Sequence, residues 1–249
     1  MALPDYDENI LIEASLLAPK DAIEFFRAKG FKITWDWRET LNDANRAVFH
    51  VAKAINLSVL QDIRNEVDKA ISKGTTFGDF KKDLEPKLAA KGWTGKKYLT
   101  NPKTGVKELV ELGTPHRLET IYRTNTQSAY NAGRWESQLR NKDSRPFLQY
   151  IAIDDGATRP NHRAQNGTVK SIDSSYWSTW YPPNGYNCRC RVRSLSKEQA
   201  EKIDTGAKSN KLPDLGFSGN PGRSVFRPKR KEFDSDLWNE GKKMEPLKK

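Results

Sequence analysis

Cysteine, methionine and histidine are scarce in this chain, with two, two and three among 249 residues. Both cysteines fall in one Cys-x-Cys, Cys188 and Cys190, which cannot build the disulfide framework of a small secreted domain. A reducing compartment such as a bacterial cytoplasm is therefore expected. Long apolar runs are missing too: no stretch of about 18 apolar residues occurs, so no membrane-spanning helix and no membrane partner are expected. The opening Met1-Ala2-Leu3-Pro4-Asp5-Tyr6-Asp7-Glu8 has neither a basic nor an apolar signal region, and no secretory signal is read there. The chain has no Gly-rich phosphate loop and no paired acidic motif beyond Asp154-Asp155. His50 and His116 add no second motif histidine, so the expectation is a protein that is not an enzyme and takes no small-molecule substrate.

Positive charge is plentiful. Forty-three Lys and Arg face 32 Asp and Glu, a formal +11 with a pI near 9.5, so the surface should attract polyanions, with DNA the foremost candidate. Only 36% of residues are apolar, 30% are charged and the mean hydropathy is −0.82. Much of the surface must be solvated, or buried only against a partner. A chain of this length can hold two small cores, and two units are expected.

Residues 1–92 read as a helical region. Pro19 opens a short helix that Gly30 closes, and Phe31, Ile33, Trp35 and Trp37 then alternate as an extended aromatic segment. Leu41, Ala44, Val48, Val51 and Ile55 recur at steps of three and four, which predicts a helix. Ser58 is placed to cap another that ends at Gly74. Thr76 with Asp79 makes an acidic capping box for a third helix, which Pro86 should kink. Residues 93–113, with Gly95-Lys96-Lys97 and Asn101-Pro102-Lys103-Thr104-Gly105, read as a turn-rich basic linker.

From 114 to 195 the pattern changes. Thr114-Pro115 starts a long helix whose stripe is Leu118, Ile121, Asn125, Ser128, Ala132, Trp135 and Leu139. Its inner face then carries polar groups that need partners. Phe147 to Ile153 reads as a buried strand leading into Asp154-Asp155-Gly156-Ala157-Thr158-Arg159-Pro160-Asn161-His162, and Thr168-Val169 as a short partner strand. After Tyr176-Trp177-Ser178-Thr179-Trp180-Tyr181 and a Pro-Pro-Asn-Gly turn, one strand should carry Cys188, Cys190 and Val192 on one face and Arg189, Arg191 and Arg193 on the other. Residues 196–249 form a basic, partly irregular tail, with a short helix near Ser196. Its last 27 residues hold nine basic against five acidic groups, a balance of +4. Phe226, Phe233, Leu237 and Trp238 are candidate anchors there. The class is α+β: an N-terminal helical region, a long central helix and a small mixed unit of short strands.

The loop and the Cys-x-Cys segment are expected to fold against each other. Asp155, Arg159 and His162 would form a polar network pinning loops to the long helix, with Arg123 and Asn125 on the helix side. The thiols admit two readings: buried small hydrophobes, or zinc ligands with His162, where Asp155 or water completes four-coordination. A nuclease-like, metal-dependent hydrolase built on His162 is the competing functional reading. Arg189, Arg191 and Arg193 beside Trp177 and Trp180 combine charge with stacking surfaces, as a nucleic-acid groove does.

Tyr122-Arg123-Thr124-Asn125-Thr126, Leu148-Gln149-Tyr150, Asp155 with Thr158-Arg159 and His162, Gly167, Pro183 and Cys188-Arg189-Cys190 together resemble the phage Mu F-like minor head protein family, also called the phage head morphogenesis family. The likeness extends upstream to about Ala18 and fades after about Leu195. It implies a minor capsid protein of a tailed bacteriophage that assembles with portal or major capsid protein. It further implies contact with the packaged double-stranded DNA genome, in the capsid interior or at the portal vertex, after assembly in the host cytoplasm.

Overall fold

The computed structural model describes residues 19–40, 48–54, 56–203 and 211–223. Helix α1 (Lys20–Arg27) follows Pro19, and strand β1 (Gly30–Phe31) pairs in parallel with β2 (Val48–Phe49), Gly30 opposite Val48. A bridge from Thr34 to Ala52 continues this pairing, while Trp37–Glu39 forms a 3-10 turn. The helix expected from Leu41 to Ile55 is thus overturned at its C-terminal half. Val48, Phe49 and Val51 are buried in extended backbone, the conformation that suits consecutive β-branched and aromatic side chains. Residues 41–47 and 55 lie outside the described residues.

Helix α2 (Leu57–Lys73) is capped by Asn56, whose side chain accepts from the Ser58 amide, rather than by Ser58 itself. Gly74 ends it at φ 67°, the left-handed conformation that glycine adopts without a Cβ penalty. Thr76 and Asp79 cap α3 (Phe77–Ala90) reciprocally. That helix runs on through Pro86, held against its neighbours by buried Phe80 and Leu84 before the proline and Leu88 after it. The stretch expected to be a linker is instead an antiparallel hairpin of β3 (Gly95–Thr100) and β4 (Lys107–Leu112). Asn101 turns it by accepting from the Lys103 amide, and Trp93, buried at its base, donates to the Lys53 carbonyl at 3.0 Å.

Helix α4 (Pro115–Arg140) is capped by Thr114 and serves two cores. Its Leu118 and Ala129 join the N-terminal core with Phe26, Leu60, Ile63 and Leu84; its Trp135 joins the second core. There, three strands run in the order β6 (Val169–Ser171), β5 (Phe147–Ile151), β7 (Arg191–Leu195), all antiparallel, with Ile151 opposite Arg191. Short helices α5 (Pro160–Arg163), α6 (Trp177–Trp180) and α7 (Lys197–Glu201) fill the connections. The class is α+β, as the sequence implies. The buried polar side chains of α4 are Thr126, Asn131 and Gln138, not Asn125 and Ser128. Thr126 and Asn131 return their hydrogen bonds to carbonyls one turn back, at 2.8 and 2.9 Å, so only Gln138 needs a partner beyond the helix.

Helices α1 and α4 meet at Gly133, where an added Cβ would lie 2.9 Å from the Ala22 amide nitrogen. Gly133→Val should therefore cost about 1–3 kcal/mol by overpacking and lower Tm by several degrees. Gly156→Ala, in open space, should leave thermal unfolding unchanged.

His50 is half-buried between Thr34 and Thr40, with Nε2 2.6 Å from the Thr40 hydroxyl. Burial, helped by the positive charges of Lys29 and Lys32, pushes its pKa down from 6.5 to about 4. The unfolded chain then binds the proton more tightly than the folded one, so this contribution is complete above pH 6.5 and is lost as pH falls toward 4. Chemical denaturation across that window should show a loss of about 3 kcal/mol that is largely absent in His50→Gln.

Candidate functional site

His162 sits on the one-turn helix α5, which Pro160 opens, and is 2% exposed. Its Nε2 lies 3.2 Å from the Asn184 backbone carbonyl. A carbonyl only accepts, so Nε2 carries the proton and Nδ1 keeps a lone pair. That lone pair faces both thiols, 3.8 Å from Cys188 Sγ and 3.7 Å from Cys190 Sγ. The Asn184 side chain accepts from the Tyr150 hydroxyl at 2.9 Å, and Asp214 places a carboxylate oxygen 3.6 Å from Nε2. Arg159 holds Asp214 at 2.8 Å and donates a second time to the Tyr186 carbonyl at 2.9 Å. The acidic-turn-histidine loop and the Cys-x-Cys segment therefore do pack on each other.

Both cysteines are free, and they precede β7 rather than lying in it. The alternation of burial nevertheless extends back through them: Cys188, Cys190 and Val192 are buried while Arg189, Arg191 and Arg193 are exposed. The Cys190 thiol beside it, with further help from His162, outweighs burial and draws the Cys188 pKa down to about 5. Cys190 moves strongly the other way, because its neighbour is then an anion and its surroundings are dry. The pair gives up one proton readily and resists losing the other.

Asp155 is not part of this cluster. Its carboxylate is held by Arg189 through two bonds of 2.7 and 2.6 Å at the surface, and it accepts from the Ala157 amide. Among the described residues the group able to share an ion is His162, Cys188 and Cys190, whose ligand atoms all lie within 4.8 Å of one another. Arg123 and Asn125 are not brought to it either. Arg123 pairs with Glu119 one turn earlier and Asn125 bonds the Ile121 carbonyl, because both sit on the half of α4 that serves the other core.

The link from loops to helix runs through Gln138, which donates to the Val192 carbonyl at 3.3 Å and accepts from the buried Tyr181 hydroxyl at 2.8 Å. The stacking surface expected from Trp177 and Trp180 is also corrected: they are 0% and 5% exposed, packed into the second core, with Trp180 edge-on to His162. Arg193 bonds Gln149 across the sheet, so of the three arginines only Arg191 stands clear of the ion pair and cross-strand bond that occupy the others. Neither Asp214 nor Gln138 is marked by any sequence signal. Asp214 lies in a stretch rich in turn residues, and Gln138 is indistinguishable by pattern from an exposed helical glutamine.

Residues 61–193, just over half of the chain, match the family described as Phage Mu protein F like protein. The chain belongs to this family. Protein F of Escherichia phage Mu, provisionally named for capsid assembly, is 43% identical over 231 residues, covering 90% of this chain and 52% of that protein. The Mu-like prophage FluMu F protein of Haemophilus influenzae is 43% identical over 165 residues, covering 66% of this chain and 39% of its own. The chain thus spans about half the length, or less, of these curated relatives. No solved structure matches it at a significant level. The family match takes in the loop, both thiols and Arg191, but stops short of Asp214.

The Arg189 guanidinium and the Ala157 amide hold the Asp155 pKa at about 2, below its ordinary 3.8. In Arg189→Ala, a carboxyl-detected NMR titration should find it returned most of the way to that ordinary value, with the His162 ring resonances unmoved.

Proposed function

We propose that this chain acts in head morphogenesis of a tailed bacteriophage, as a minor capsid protein that joins the portal or the major capsid protein during assembly in the host cytoplasm and remains in the virion. The observation that carries this reading is the 43% identity to phage Mu protein F across 90% of the chain. The geometry suits a structural role. The motif histidine and both thiols are buried, so this cluster sets no nucleophile beside a base in an open cleft.

Contact surfaces for large partners are present. The β3–β4 hairpin exposes Tyr98, Val106 and Leu109, at 71%, 57% and 57%, next to exposed Lys96, Lys97 and Lys107. Tyr98 and Leu109 lie opposite each other in the hairpin, and an exposed apolar pair rimmed by cations fits a partner with an acidic rim. The net +11 favours proximity to the packaged genome, with Arg191 and the hairpin lysines as phosphate contacts and no role for Trp177 or Trp180. No described helix is long and apolar enough to cross a membrane.

Deleting the coding segment from the phage or prophage that carries it should abolish infectious particles while tails still form, and complementation should restore them. Mass spectrometry of purified virions should find the chain at far fewer copies than the major capsid protein. Normal titres without the chain would overturn the assignment.

A further inference from the structure

The Cys188, Cys190 and His162 side chains form a ligand set whose function is unexplained by packing alone. Two sulfurs converge on the single lone pair of His162 Nδ1, which can accept a hydrogen bond from only one of them. We propose that this cluster is a zinc site, in which Cys188 Sγ, Cys190 Sγ and His162 Nδ1 bind one Zn2+ that fastens the histidine loop to the Cys-x-Cys segment.

Geometry supports the assignment first. With Zn–S near 2.3 Å and Zn–N near 2.0–2.1 Å, bond angles of about 110–120° put sulfur and nitrogen about 3.6–3.8 Å apart. The separations here are 3.7 and 3.8 Å. The ring is also set as a ligand should be. Nε2–H is turned to the Asn184 carbonyl, with the Asp214 carboxylate behind it and Arg159 behind that, the outer support that fixes tautomer and raises basicity in metal-bound histidines.

Charge gives a further argument. Two thiolates and a neutral imidazole on Zn2+ sum to zero, which a nearly dry pocket can hold, whereas two buried thiolates alone cannot. Both sulfurs bind as thiolates, so binding releases whatever thiol protons the pair still holds, with no change of oxidation state. Among the described residues no fourth His, Cys, Asp or Glu joins, so the remaining position falls to water or to the Tyr150 hydroxyl, which lies against Cys190. At 2% exposure of His162 that position is not open to a substrate, and the site is structural.

The experiment uses the full chain, purified under reducing conditions, stripped with a chelator and then given Zn2+ or Co2+ alone. One equivalent of Zn2+ should bind per chain, and Co2+ should give thiolate-to-cobalt charge-transfer absorption. At about a thousand times its Kd, zinc should raise Tm by roughly 10 °C over the stripped protein. Cys190→Ala should lose the charge-transfer band and most of the Tm response while keeping its far-UV circular dichroism. Should that variant not fold, the stoichiometry on the unmodified chain decides. Folded wild-type chain that takes up less than a fifth of an equivalent would overturn the site. So would zinc binding that is undiminished in the Cys188→Ala, Cys190→Ala double variant. Because these readouts need no phage particle, the zinc site and the head-assembly role stand or fall separately.

Discussion

A single helix has to satisfy two hydrophobic cores at once. Helix α4 has 26 residues, about 39 Å of helix, so its two halves lie too far apart to face one core in a unit this small. Leu118 and Ala129 go to the core of the α1–α3 bundle, and Trp135 and Gln138, nearer the C-terminal end, go to the three-stranded sheet and its surroundings. That division explains why Arg123 and Asn125 have nothing to do with the histidine loop. It also explains why small residues matter in the middle: Gly133 lets α1 approach closely, and Gly222 lies against Trp135, where a side chain would collide with the indole.

At the far end of the helix, a buried polar cluster is organised around hydrogen bonds rather than around an open pocket. His162, Asn184, Tyr150, Gln138 and Tyr181 each have a named partner in the interior, which is how a small core can hold several polar groups without a desolvation penalty. Ion pairs sit outside this cluster, at Asp155–Arg189 and Arg159–Asp214, where they close the surface over it. Such exposed pairs add little stability on their own. Their effect is to fix where the loops lie.

Much of this was legible in the sequence. Capping chemistry marked the starts of α3 and α4, a continuous buried run marked β5, and alternation marked the buried side of the Cys-x-Cys segment. The misreadings have physical causes. Val48 and Val51 fit a helical stripe as well as extended backbone, and pairing of Val48 and Phe49 with Gly30 and Phe31 decided between them. The Asn101 to Gly105 turn masked two short strands whose side chains are mostly exposed, so no hydrophobic pattern announced them. Trp177 and Trp180 resembled a stacking platform because aromatic content says nothing about which side of the surface a ring lies on. Asp214 closes the histidine site from more than 50 residues away, a contact that only the folded chain creates.

The base of the β3–β4 hairpin has a mechanical consequence. Arg117, in the first turn of α4, stacks on Trp93 at 4.7 Å and donates to the carbonyls of Glu111 and Ala52. Strand β4 passes into α4 through only Gly113 and Thr114. A pull on the hairpin tip would therefore enter the helix axis almost directly and be shared between both halves of the molecule, so that the projecting ribbon works as a stiff handle rather than a tether.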